Sequence, residues 1–309
     1  MSVDSLIIGE GPAGVTAALY LARSGVSVAL VEQMTTGGQI LQTAELENYP
    51  GYPKGIKGYE LADLFAAHIE GLDNCTRTQA QVTAITGEAG HFTVSLSNGK
   101  TIEAKTILVC TGAKHRMLGV PREKELTGSG VSYCALCDGN FFRGKTVAVV
   151  GGGNAALEES LYLSKIVAKI HLIHRRDAFR ARKVYEDRLR ALGDAVSFHL
   201  GYTVTALHGE GSLNAITIQS VAGKEEETIP VSAIFVYVGF EPVTSFLPQE
   251  IAKDPQGFLV TDTEMRTSIP GIYAAGDIRS KLCRQVITAA GDGATAAQAA
   301  FVFLEQLHG

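Results

Sequence analysis

The chain has 309 residues, 46% hydrophobic and 19% charged, with a formal net charge of −5 at pH 7, enough for a sizeable core in about one to three domains. The acidic balance and the lack of a dense Lys/Arg run exclude nucleic acid as a partner, which calls for a basic face. Five cysteines are too few for a secreted disulfide scaffold, no leader precedes the first strand, and no uncharged apolar run reaches the ~18 residues of a membrane span, so a cytoplasmic protein with no membrane partner is expected.

Residues 5–32, "SLIIGEGPAGVTAALYLARSGVSVALVE", predict strand, glycine turn, helix, strand. The turn is Gly9-x-Gly11-Pro12-Ala13-Gly14. The first glycine permits the bend, the second lets backbone approach a pyrophosphate, and the third brings helix and strand together. The helix N-terminus then offers free N–H groups to phosphate. Glu32, followed by Gln33, closes the second strand where an acid accepts from ribose hydroxyls. Residues 78–104 alternate apolar and polar around Asn98-Gly99 and predict an antiparallel hairpin layer. A strand over 106–112 ends in Thr111-Gly112.

Next comes "GVSYCALCDGNFF" (130–142), with Cys134-x-x-Cys137 directly followed by Asp138. Residues 145–177 then repeat the strand, turn, helix and strand, here with Gly151-x-Gly153-Asn154-Ala155-Ala156. No acid ends the second strand of this copy. His174, Arg175, Arg176 and Arg180 stand there instead, and guanidinium groups suit a 2′-phosphate that a carboxylate would repel, which predicts NADPH over NADH. A second hairpin pattern covers 201–230 and a strand is predicted over 233–242. Finally, "TSIPGIYAAGDI" (267–278) ends a short strand in Gly276-Asp277 and precedes a long helix of small residues over 284–307.

Two dinucleotide turns in one chain point to a flavoprotein disulfide reductase plan, with FAD on the first and NADPH on the second. The Gly276-Asp277 carboxylate would meet the ribityl chain of the flavin. Because that C-terminal segment must complete the first unit, the expected fold is α/β, with two Rossmann-like three-layer ββα domains. The FAD domain is residues 1–114 with 244–309, and the NADPH domain, 115–243, is inserted into it. The short glycine-containing connections 112–117 and 239–244 would serve as hinges.

Cys134 and Cys137 could form a disulfide, contribute half a zinc site, or be two buried thiols. At i and i+3 of a helical first turn their Cβ atoms lie ~5–6 Å apart, close to bridging distance, and a helix N-terminus favours the thiolate. Zinc needs two more ligands, and Cys75, Cys110 and Cys283 are scattered with no second paired motif. A redox disulfide is the reading, with no metal expected.

The motifs "GEGPAG", "GGQI…ENYPG", "YCALCDG", "GGGNAALEE", "HRRDAFRA" and "YAAGDI…RQVITAAGDGATAA" come in the order and spacing of the low-molecular-weight, bacterial-type thioredoxin reductases, which the chain resembles over essentially its whole length. The resemblance implies that Cys137 exchanges electrons with the flavin, that Cys134 meets the partner, and that Asp138 gives and takes the proton. It places Gly38, Gln39 and Asn48 along the flavin ring, and Asp277, Arg284, Gln285 and Val286 on the flavin and its ribityl chain. It also implies a thioredoxin or thioredoxin-like partner and a homodimer; the alternative is a related reductase with another donor, such as ferredoxin, or another protein disulfide substrate. Leu136, Asn154-Ala155, Ser129 and Leu282-Cys283 depart from the commonest family pattern.

Overall fold

In the computed structural model, which describes residues 1–43, 45–223 and 225–308, the first strand (Ser2–Ile8) is central. Its run of buried residues, with Leu6 and Ile7 fully buried, marks a strand covered on both faces. It pairs in parallel with Val28–Glu32 on one side and Thr101–Val109 on the other. Cys75–Gln79 extends the first edge, and His91–Leu96 and Val82–Glu88 extend the second. Ile272–Ala274 also pairs with Thr101–Val109, in parallel, so distant parts of the chain build one seven-stranded sheet. The first helix (Pro12–Arg23) and the C-terminal helix (Val286–His308) share a core cluster on one face, including Ala17, Leu21, Ala296, Ala297 and Leu304. A Cβ at Gly293 would come 2.2 Å from the Ala13 carbonyl oxygen, so glycine there sets how closely the two helices meet.

The second unit has a five-stranded, wholly parallel sheet, ordered Val131–Ser132, Ala233–Val236, Thr146–Val150, Lys169–His174, Val196–Leu200. A separate antiparallel sheet of Tyr202–His208, Ala215–Ser220 and Glu226–Pro230 realises the second hairpin pattern, of which position 224 lies outside the described residues. The chain enters and leaves this unit through the antiparallel pair Ala113–His115 and Phe240–Pro242.

Two expected elements take a different form. The hairpin arm ending at 104 and the strand at 106–112 are one strand, Thr101–Val109. Its first part alternates exposed and buried against His91–Leu96, and its last four residues are all buried in the parallel sheet. The antiparallel layer of the first unit is therefore continuous with its main sheet. Conversely, the strand predicted over 233–242 breaks after Val236, and Gly239, at φ 121°, turns the chain into the crossing pair. By length and composition Val286–Leu307 could cross a membrane, but Asp292 interrupts it and its alanine face is buried against the first helix.

Candidate active site

The two glycine turns are built alike. A Cβ at Gly9 would meet the Cys110 carbonyl oxygen at 2.6 Å, at Gly14 the Gly9 carbonyl oxygen at 1.8 Å, and at Gly151 the Tyr237 carbonyl oxygen at 2.6 Å. Internal packing explains those glycines. Gly11 (φ −75°, ψ 179°) and Gly153 (φ −97°, ψ 177°) differ, since any residue adopts such angles and a Cβ there would meet nothing within 4 Å. Nothing among the described residues asks for glycine at either position, and the space over each is open to a group approaching from outside. Each is the cap residue of its helix without a side-chain cap, leaving the first-turn N–H groups to a ligand. Pro12 and Ala13 begin the first helix and Asn154, Ala155 and Ala156 the second, with Ala13 and Ala156 buried. These cradles fit dinucleotide pyrophosphates. Gly153→Ala is accordingly expected to lower the melting temperature by no more than a few degrees, a cap change costing ~1 kcal/mol or less, while weakening binding of the ligand at this turn ~10-fold or more, since its methyl group obstructs that ligand.

Glu32 ends its strand as predicted; its two carboxylate oxygens each accept a backbone N–H at 3.0 Å, from Glu10 and from Met34, and Gln33 beyond it is exposed. At the second turn the predicted basic group divides. Arg175, Arg176 and Arg180 are exposed, in a loop folded onto the turn by Arg180 N–H donating to the Gly152 carbonyl at 2.8 Å. Arg182, unremarked in the sequence, joins them, its N–H bonded to Asn154 Oδ1 at 2.9 Å. His174 lies beneath the turn instead, buried, with its ring where a Cβ on Gly152 would fall and stacked on Phe179 at 5.6 Å between centroids. Burial and the neighbouring Arg180 and Arg176 hold its pKa below the ordinary value.

Cys134 and Cys137 are joined as a disulfide, with Cα atoms 5.3 Å apart. Cys134 caps the single helical turn Ala135–Asp138, and the Cys137 N–H donates to its sulfur at 3.2 Å. The predicted helix is thus only one turn, too short for a substantial dipole. Cys137 is buried in a cluster with Ile40, Leu46, Ile56, Leu61 and Ala62 of the first unit, whereas Cys134 is half-buried. Asp138 Oδ2 accepts from the Ser132 hydroxyl at 2.6 Å, and its buried Oδ1 has no partner. Burial raises the Asp138 pKa, and the Ser132 bond offsets this in part. The Ala135 N–H donates to the Tyr237 hydroxyl at 2.7 Å, anchoring the turn. Ser132 and Tyr237 escaped sequence reading because neither belongs to a motif; only proximity to the cysteine pair could have flagged Ser132. Cys110 is buried, and burial pushes its thiol well up; Cys75 is half-buried and Cys283 exposed.

The residues expected along the flavin converge on the same region. Gly38 faces Gly11, where a Cβ on the former would lie 3.3 Å from the latter's Cα. Asn48 donates to Gln285 Oε1 at 3.0 Å, and Val286 packs on the Cys137 cluster. The Gln39 amide donates to the Ala113 carbonyl, and the Thr111 hydroxyl to the Val243 carbonyl at 3.0 Å, with Gly112 (φ 63°) between. Gly276 (φ 80°) turns the chain so that the buried Oδ1 of Asp277 forms an ion pair with Lys281 Nζ at 3.4 Å. Burial raises the Asp277 pKa, countered by Lys281 and Arg284. Arg284 is not paired with Asp277; its guanidinium lies 4.1 Å from the Phe258 ring and 5.5 Å from that of Phe240. Lys281, buried between Asp277 and Asp292, went unnoticed in the sequence.

The pyridine nucleotide-disulphide oxidoreductase family model matches residues 3–293. A thioredoxin reductase of Listeria innocua is 42% identical over 308 residues, 98% of this chain and 94% of its own. The solved thioredoxin reductase of Streptococcus pyogenes is 43% identical with a TM-score of 0.91 over 99% of both chains. That of Lactococcus lactis, described as its FR conformation, is 40% identical over 98% of this chain and 99% of its own, yet has a TM-score of 0.69. With a disulfide packed on the first unit, two glycine turns built alike, and likeness along its whole length, the chain belongs to the pyridine nucleotide-disulphide oxidoreductase family, among the thioredoxin reductases.

Proposed function

We propose that the chain is an NADPH-dependent thioredoxin-disulfide reductase, moving electrons from NADPH through FAD and the Cys134–Cys137 disulfide to thioredoxin or a thioredoxin-like protein. The observation that carries the reading is Cys137 buried against the first unit, in one cluster with Ile40, Leu46 and Val286, with Cys134 more open. Residues 1–114 with 244–309 would hold FAD, through Gly9, Gly11, Gly14, Glu32 and Asp277. Residues 115–243 would hold NADPH, through Gly151, Gly153, Arg175, Arg176 and Arg180. When bound, the flavin would supply the two-electron chemistry that no side chain provides.

The protein's own steps balance as a thiol–disulfide exchange. Once the bond is reduced, the Cys134 thiolate attacks one sulfur of the partner disulfide, forming a mixed disulfide and expelling the other sulfur as a thiolate. Asp138, whose burial keeps it protonated to higher pH than a free aspartic acid, gives that thiolate its proton. The Cys137 thiolate then attacks Cys134 Sγ, closing the bond again and releasing the second partner sulfur as a thiolate, which takes its proton from solvent. The exposed Tyr20, Ile287, Val302 and Leu307, on the first and C-terminal helices, support a homodimer, and a cytoplasmic location is proposed with it.

The test is an anaerobic titration followed by flavin absorbance. NADPH is expected to bleach the flavin at far lower concentration than NADH, and Arg175→Ala/Arg176→Ala to remove ~10-fold or more of that preference, two charge-assisted phosphate contacts being lost. A flavin left oxidised by NADPH would instead point to a ferredoxin-type donor.

A further inference from the structure

Glu10, the residue between the first two glycines of the N-terminal turn, is 3% exposed. Its carboxylate accepts from Arg77 Nη2 at 2.5 Å, Arg77 Nε at 3.3 Å and the Thr36 hydroxyl at 2.5 Å. Arg77 comes from the edge strand Cys75–Gln79 and also bonds Thr36. The backbone of residue 10 is tied as well, its N–H to Glu32 Oε2 at 3.0 Å and its carbonyl to the Gly37 N–H at 2.8 Å. Next to this knot lies a cavity of about 250 Å³ whose lining includes Glu10, Glu32 and Arg77. Two carboxylates therefore line a cavity adjoining the turn proposed to receive a doubly charged pyrophosphate, and among the described residues Arg77 is the one cation in that lining.

We propose that Arg77 is a charge-neutralising positioning residue for FAD: it cancels the buried Glu10 carboxylate, without which the N-terminal turn would repel the anionic cofactor. This rests on the reading of that turn as the FAD site. Like charges repel strongly where water is scarce, and a buried carboxylate stripped of its partner keeps its full field. Arg77 is itself 39% exposed on its side chain, against 4% for Glu10, so solvent screens part of the effect. A pair that served only to hold the edge strand would behave otherwise, affecting melting temperature and not the affinity of one anionic ligand.

The experiment is a titration of the full chain, freed of flavin, with FAD. Arg77→Met is expected to weaken binding at least ~10-fold. Glu10→Gln is expected to bind FAD at least as tightly as the parent, a repulsive charge being gone. Glu10→Gln/Arg77→Met is expected to return to within ~3-fold of the parent, the signature of coupled residues. Should Arg77→Met fail to fold, the double variant and Arg77→Lys, which keeps the charge, carry the test and must bind FAD near the parental affinity. The proposal is overturned if Arg77→Met binds FAD as the parent does. It is equally overturned if the double variant stays as weak as Arg77→Met, which would make Arg77 a direct cofactor contact. A parent chain with no affinity for FAD would refute the site assignment itself, a separate result.

Discussion

A covalent cross-link between positions 47 and 140 is expected to abolish turnover while FAD stays bound. Glu47 belongs to the first unit and Asn140 follows the cysteine turn in the second, and the Asn140 amide donates to the Glu47 carboxylate at 2.6 Å. In this arrangement Cys137 is packed into the first unit. The turn at Gly151 and Gly153, proposed for NADPH, belongs to the same inserted unit as the cysteines, so if disulfide and nicotinamide use one face of the flavin they reach it in alternation. The antiparallel pair Ala113–His115 and Phe240–Pro242 is the place for such a swing. The two solved relatives support it: nearly equal in identity, at 43% and 40%, they match this chain with TM-scores of 0.91 and 0.69. With Glu47→Cys/Asn140→Cys bridged in a Cys283→Ser background, flavin reduction by NADPH should fall ~100-fold or more and recover when the bridge is reduced. Undiminished turnover in the bridged protein would rule out the swing.

Replacing either member of the disulfide should be as damaging. Cys137→Ser and Cys134→Ser are each expected to lower reduction of a thioredoxin-like disulfide by ~10³-fold or more, because residues acting as one unit lose nearly everything singly. Oxidation of NADPH with a small artificial acceptor should persist in both, since the dinucleotide cradles are untouched. The two variants should differ in one respect: Cys134→Ser leaves the buried Cys137 thiol facing the first unit, where it can still perturb the flavin spectrum, whereas Cys137→Ser leaves only the more open Cys134. Identical flavin spectra in the two would contradict the assignment of Cys137 as the inner sulfur.

What the sequence made legible is what depends on neighbours along the chain. The glycine turns, the short helical turn at the cysteine pair and the acid at the end of Val28–Glu32 are set by residues a few positions apart, whose steric demands travel with the motif. Features that depend on long-range meeting were hidden. The burial of His174 follows from its alternate place on Lys169–His174 and the space under Gly152, which the adjacent arginines obscure. Glu10 and Arg77 are 67 positions apart, and nothing local in either marks a pair. The break after Val236 was masked by an apolar run that continues through Tyr237 and Val238.

The seventh strand of the first sheet, Ile272–Ala274, also dictates an order of assembly. A ribosome delivers the chain from its N-terminus, so every strand of the inserted unit has emerged before residue 272 exists. Until then Thr101–Val109 lacks its parallel partner Ile272–Ala274, and Ile107, Leu108 and Val109 have their backbone groups unpaired on that side. The first helix likewise waits for Val286–His308 to cover its alanine face. The domain encoded first is therefore the one finished last, and its open edge is exposed to wrong pairing for most of synthesis.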